Sequence, residues 1–144
     1  MFIDTHAHLN YEDRYGDARE ALAEAAQAGV KKVICVGWDL PSSALAARIA
    51  EQNDGVFFAA GFHPSNLEGF SERALCETAE LLRSEKGVAV GEIGLDYHYD
   101  GTDERAQKRA FAAQLELACA LRLPVSIHSR DAAADTLQIL RDNR

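Results

Sequence analysis

A chain of 144 residues makes one domain at most, or part of one. Its 47% hydrophobic and 26% charged residues are those of an ordinary globular protein, which excludes disordered and fibrous classes. A formal net charge of −8 excludes a protein that holds nucleic acid through its own basic surface, because that affinity comes from Lys and Arg displacing counterions.

The first predicted element is a short strand, Phe2-Ile3-Asp4, running into Thr5-His6-Ala7-His8. Residues i and i+2 of a strand share a face. At about 3.3 Å per residue their positions lie roughly 6.6 Å apart, a gap two imidazoles can close onto one cation. A pair of strand-end histidines that only hydrogen-bond fits the same spacing. Ala18, Ala21, Leu22 and Ala25 then form a helical stripe that Gly29 stops. A strand from Val33 to Gly37 precedes a helix that starts at Pro41-Ser42-Ser43, carries Leu45 and Ile49, and ends before Asn53-Asp54-Gly55. The apolar run from Val56 to Phe62 reads as a third strand leading to His63, and Ser71 caps a helix bearing Leu75, Ala79 and Leu82. A fourth strand runs from Val88 to Gly94 and contains Glu92. Phe111, Leu115 and Ala118 mark the longest helix, from near Thr102 to before Pro124. Val125 to His128 is the fifth strand, and Leu137 and Leu140 belong to a last helix.

These are about five βα units of roughly thirty residues each, with strands that lack clean alternation, as in a parallel sheet covered on both faces. Five units suffice for an open doubly wound sheet, whereas a closed (β/α)₈ barrel typically needs about 250 residues. The polar residues favour the barrel. His6, His8, His63, Glu92 and His128 all fall at the carboxyl ends of predicted strands, where a parallel barrel gathers its active site. Imidazoles with a carboxylate suit Zn, Fe, Ni or Mn. Glycines at 91 and 94 allow close backbone approach around Glu92, whose plainer use would be a cap or a pair with Arg130. Cys35, Cys76 and Cys119 are widely spaced and form no Cys-x-x-Cys, so reduced, mostly packed thiols in a cytoplasmic protein are expected. No basic-then-apolar leader opens the sequence, no apolar run approaches the ~18 residues of a membrane span, and no membrane partner is expected.

With DTHAH, GFHP, GEIGLDYH and PVSIHSRDA in that order, the chain resembles the TatD-type metal-dependent deoxyribonucleases among the amidohydrolase-like barrels. The resemblance runs from Phe2 to about Ala132 and implies a TIM-like (β/α)₈ barrel with one or two divalent ions (Mg, Mn or Zn) that hydrolyses phosphodiester bonds. It implies that His6 and His8 hold the first metal, that Glu92 bridges two metals and is the catalytic carboxylate, and that His128 holds the second. His63, Arg130 and Asp131 would line the site; Asp96 and Tyr97 belong to the motif without an assigned role. The family pattern continues with a histidine on a sixth strand and an acid on an eighth, and neither is present. The expected fold is therefore α/β, a partial TIM-like barrel spanning residues 1–144 as a single, C-terminally truncated domain. DNA or a nucleotide-containing molecule is the expected substrate of the parent protein, with weak or no activity in this chain and self-association through exposed sheet edges. The alternatives are another amidohydrolase or phosphoesterase on a similar barrel, and a non-catalytic half-barrel.

Overall fold

Strand-forming and helix-forming segments alternate five times. The elements are β1 (Phe2–Ala7), α1 (Ala18–Gln27), β2 (Val30–Val36), α2 (Leu40–Gln52), β3 (Val56–Ala60), α3 (Glu72–Leu81), β4 (Gly87–Asp96), α4 (Glu104–Leu121), β5 (Val125–Arg130) and α5 (Ala133–Asp142). This computed structural model describes residues 1–11 and 18–143.

All neighbouring strands are parallel, in the order β1-β2-β3-β4-β5. A doubly wound sheet reverses its strand order at a switch point. This one never reverses, and right-handed crossovers in a constant direction send every helix to the same face. The result is a half-barrel.

Local chemistry starts the helices. Asp39 caps α2 in a reciprocal box: its carboxylate accepts from the Ser42 N–H at 2.8 Å, and Ser42 Oγ accepts from the Asp39 N–H at 3.0 Å. Ser71 Oγ accepts from the Ala74 N–H at 3.2 Å, as its sequence position predicts, and Asp103 caps α4 through the Ala106 N–H at 2.9 Å. The main core lies between sheet and helices, with Phe58, Val90, Leu95, Phe111 and Leu115 all buried. Each such side chain stabilises the fold by about 1.5–3 kcal/mol relative to exposure. The opposite face carries a smaller cluster of Val36, Ala59 and Ala89.

Three expectations need correction. Helices cover one face of the sheet and not both: on the other face Val36, Ala59 and Ala89 pack together without a helix, at the edge Phe2 and Ile3 on β1 are 65% and 56% exposed, and no residue of α1 is fully buried. The fourth and fifth strands run past the predicted Gly94 and His128, because Gly94 pairs in register with His128 and the ladder continues to Asp96↔Arg130. Only Cys35 is a packed thiol; Cys76 and Cys119 are free but exposed, on helix faces turned to solvent. Among the described residues no helix is long and apolar enough to cross a membrane.

Candidate metal centre

Two β-bulges set the site. Between Asp4 and Ala7, β1 carries one residue more than β2 does between their partners Val33 and Cys35. Between Val90 and Ile93, β4 likewise carries one more than β5 does between Val125 and Ile127. An extra residue breaks the alternation of the strand and re-aims a side chain. His6 falls in the first bulge and Glu92 in the second. The Asp4 carboxylate accepts from the His6 N–H at 3.0 Å, and the Glu92 N–H donates to Gly37 O at 2.9 Å, so each re-aimed residue has its backbone fixed. The second bulge also needs its glycines. A Cβ at Gly91 would stand 2.6 Å from Ser126 Cβ, and one at Gly94 (φ +144°) would run into the His128 carbonyl.

Glu92, whose side chain is 13% exposed, is the shared centre. Its Oε2 lies 3.3 Å from His6 Nε2 and 3.9 Å from His8 Nε2, while Oε1 lies 3.2 Å from His128 Nδ1. The donor atoms of His6, His8 and Glu92 lie within 4.8 Å of one another, and so do those of His63, Glu92 and His128. The structure thus brings together all four residues predicted as ligands, and His63 beside them.

Placing the protons tests whether a cation fits. His8 Nδ1–H donates to Val36 O at 2.9 Å, which leaves a lone pair on the Nε2 that faces Glu92. His128 Nε2 faces Asp96 Oδ2 at 2.9 Å. Burial works against ionising Asp96, but the His98 N–H, the His128 ring and the Arg130 charge outweigh it and hold this carboxyl below the usual carboxylate range. An ionised Asp96 only accepts, so His128 Nε2 carries a proton, and whenever the ring is neutral its Nδ1 offers a lone pair toward Glu92. Imidazole nitrogens thus face both oxygens of Glu92, and in neutral rings His8 and His128 can turn lone pairs toward it. A divalent ion on either side would satisfy them, and imidazole with carboxylate is a donor set for such ions.

His63 fits the second group by distance but not by protonation. Its Nδ1 accepts from the Ser65 N–H at 3.1 Å, so the neutral ring carries its proton on Nε2. Burial, followed by the charge of His128, pushes the His63 pKa down, against weaker upward pulls from Glu92 and Asp96. Its ring packs 4.3 Å from that of His128, centroid to centroid. A neutral N–H donor at this place can bind a phosphate oxygen.

Arg130 and Asp131 stand at the exposed rim. Asp131 Oδ2 lies 3.0 Å from His98 Nδ1, and Arg130 Nη1 donates to the Tyr99 hydroxyl at 3.4 Å; neither is paired with Glu92. Tyr97 turns away from the centre to Asp135, its hydroxyl donating at 2.8 Å. Three contributors escaped the sequence reading. Asp96 orients His128, Ser126 Oγ lies 3.2 Å from His6 Nδ1, and Trp38 packs against His8. Asp96 had a signal: it lies four residues after Glu92, on the same side of a continuing strand.

Sequential parallel strands whose carboxyl ends bring histidines onto one carboxylate make this half of a TIM-like barrel. A family model described as TatD-related DNase matches residues 3–144. The uncharacterized metal-dependent hydrolase YabD of Bacillus subtilis is 39% identical over 142 residues, covering 99% of this chain and 56% of its own length. The 3'-5' ssDNA/RNA exonuclease TatD of Edwardsiella piscicida is 36% identical over 140 residues, 96% of this chain and 54% of that protein. The crystal structure of YjjV, a TatD homologue from Escherichia coli, superposes with a TM-score of 0.91 at 36% identity, over 99% of this chain and 56% of that one. The chain belongs to the TatD-related DNase family and spans little more than half the length of these relatives.

Proposed function

We propose that the centre holds one or two divalent ions and serves the hydrolysis of phosphodiester bonds in nucleic acid, with His6 and His8 on one side of a bridging Glu92 and His128 on the other. The observation that carries this reading is the convergence of imidazole nitrogens on both oxygens of Glu92. A bound divalent ion supplies Lewis acidity there, acidifying water toward a pKa of about 7 and neutralising phosphate charge. The remaining work belongs to the chain. Asp96 and Val36 O fix the tautomers of His128 and His8, and Ser126 Oγ lies beside His6 Nδ1. Nε2–H of His63 binds a non-bridging phosphate oxygen. Arg130, at the rim, draws the substrate backbone toward the mouth. The exonuclease relative acts on single-stranded DNA and RNA by its name, and an open mouth with exposed aromatic rings suits a strand whose bases are free.

Each side of Glu92 offers two or three protein donors, and the edge strands β1 and β5 leave the cluster open. We therefore expect partial metal retention and weak hydrolysis from this chain by itself. Metal content after dialysis should be sub-stoichiometric and fall further in Glu92→Ala; stoichiometric metal surviving in that variant would refute the bridging role. Hydrolysis should be tested with added Mg²⁺, Mn²⁺ or Zn²⁺ on single-stranded DNA, small phosphate esters and cyclic amides. Turnover of the amides in preference to both phosphate substrates would overturn the phosphodiesterase reading and favour an amidohydrolase.

A further inference from the structure

We propose that Tyr11 and Trp38 form a stacking ledge that receives a nucleobase of a single-stranded substrate beside the metal centre. This rests on the nucleic-acid reading above and adds how an acidic chain grips such a strand. With a net charge of −8, counterion release cannot supply the affinity. Beyond the metal centre and the few phosphate contacts of His63 and Arg130, stacking on aromatic rings is a source of affinity indifferent to charge.

The ledge adjoins the histidines directly. The Trp38 ring lies 5.4 Å from that of His8 at 74°, and the Tyr11 ring lies 5.8 Å from Trp38 at 63°. Both residues are pinned through their backbones to the site. Trp38 N–H donates to Ser42 Oγ at 2.9 Å, Trp38 O accepts from the His63 N–H at 2.8 Å, and Tyr11 N–H donates to His8 O at 3.1 Å. Yet Tyr11 is 47% exposed, and Trp38 is only half-buried. Two rigid rings kept partly open to solvent next to a phosphate-binding centre leave an aromatic surface for a base. An open cavity of about 330 Å³ continues from Trp38 to Arg48 and is large enough for a base and its sugar. The opposite rim is less suited. Tyr99 is exposed, but the Arg130 guanidinium lies 5.5 Å over its ring and the His98 ring 5.1 Å away.

Trp38 is the only tryptophan of the chain, so its fluorescence reports on the ledge alone. The test titrates the chain, with Ca²⁺ in place of a hydrolytic metal, against short oligo(dT) and its abasic counterpart. Binding is followed by anisotropy of the labelled strand and stacking by Trp38 quenching. The base-bearing strand should quench Trp38 and bind about 5- to 150-fold more tightly than the abasic one, the range one stacked base is worth. Tyr11→Ala should erase most of that difference and Tyr11→Phe keep it, with abasic binding the same in all three proteins. Equal affinity for the two strands, or equal quenching by both, would overturn the ledge and leave the nucleic-acid reading standing. Tyr11→Ala weakening both strands alike would make Tyr11 structural and also overturn it. Failure of both strands to bind would remove the nucleic-acid reading, and the ledge with it.

Discussion

Replacing Asp96 with asparagine tests the proton placement on which the metal centre depends. The side chain is 4% exposed and makes two bonds: Oδ1 accepts from the His98 N–H at 3.0 Å, and Oδ2 accepts from His128 Nε2–H at 2.9 Å. Its backbone is held separately by Gln107, which accepts from the Asp96 N–H at 2.8 Å and donates to Asp96 O at 3.0 Å. Asp96→Asn therefore changes one atom and leaves the strand in place. The His98 N–H claims the new carbonyl, so the amide NH₂ must face His128 Nε2. That forces the ring proton onto Nδ1, and the lone pair that faced Glu92 at 3.2 Å is withdrawn. Losing the carboxylate behind a ligating histidine typically costs 10–100-fold in metal affinity. At about 1.36 kcal/mol per decade this is ~1.4–2.7 kcal/mol, consistent with one hydrogen bond to a charged group. Calorimetric titration with Mn²⁺ or Zn²⁺ gives the affinity, and ¹⁵N shifts of His128 give the tautomer. Unchanged affinity with the proton still on Nε2 in Asp96→Asn would refute the reasoning.

Three further outcomes follow from the structure. His63 should titrate below the ordinary histidine value of about 6.5, because burial and His128 depress it. The unfolded chain then takes up this proton first, so the contribution to stability is full above that value and declines as pH falls through it; urea midpoints between neutral and mildly acid pH should show the slope, and His63→Gln should lack it. Gly94→Ala should cost several kcal/mol, since a Cβ at φ +144° meets the His128 carbonyl; a urea midpoint within 0.5 kcal/mol of wild type, the ordinary range of a surface change, would contradict the packing. Cys76 and Cys119 should react with a thiol reagent in the native protein, whereas Cys35, buried and with its pKa pushed up to about 11, should react only on unfolding.

What the sequence reveals and what it conceals divide along physical lines. The alternation of short β-branched runs with 3.6-periodic stripes is a local property, so all five strand–helix units were legible, as was the Ser71 cap. Clustering of His6, His8, Glu92 and His128 was legible too, because parallel strands carry their carboxyl ends to one side whatever the sheet's eventual curvature. Open sheet and barrel could not be separated by periodicity, since that choice depends on strand order, a long-range property. The Asp39 capping box lay hidden behind Pro41, the more conspicuous start signal. Asp96 was named within its motif, but its role was not legible, because a glycine inside a strand looks like its end; only the approach of the His128 backbone shows that Gly94 continues the ladder.

The bulges at His6 and Glu92 were invisible for a related reason, and they explain the site's economy. A regular strand alternates its side chains, so a polar cluster at the sheet centre would force apolar neighbours into water or polar ones into the core. One extra residue in β1 and one in β4 re-aim His6 and Glu92 while Ala7 and Ile93 return to register with Cys35 and Ile127. The core beneath is undisturbed: Ile93, next to Glu92, is fully buried, as are Leu95 further along β4 and Cys35, the partner of Ala7 on β2. Function and stability are thereby separated along the same strand. The apolar ladder answers to packing, and the bulged residues answer to the candidate metal centre, where a largely buried carboxylate and its surrounding imidazoles face one another.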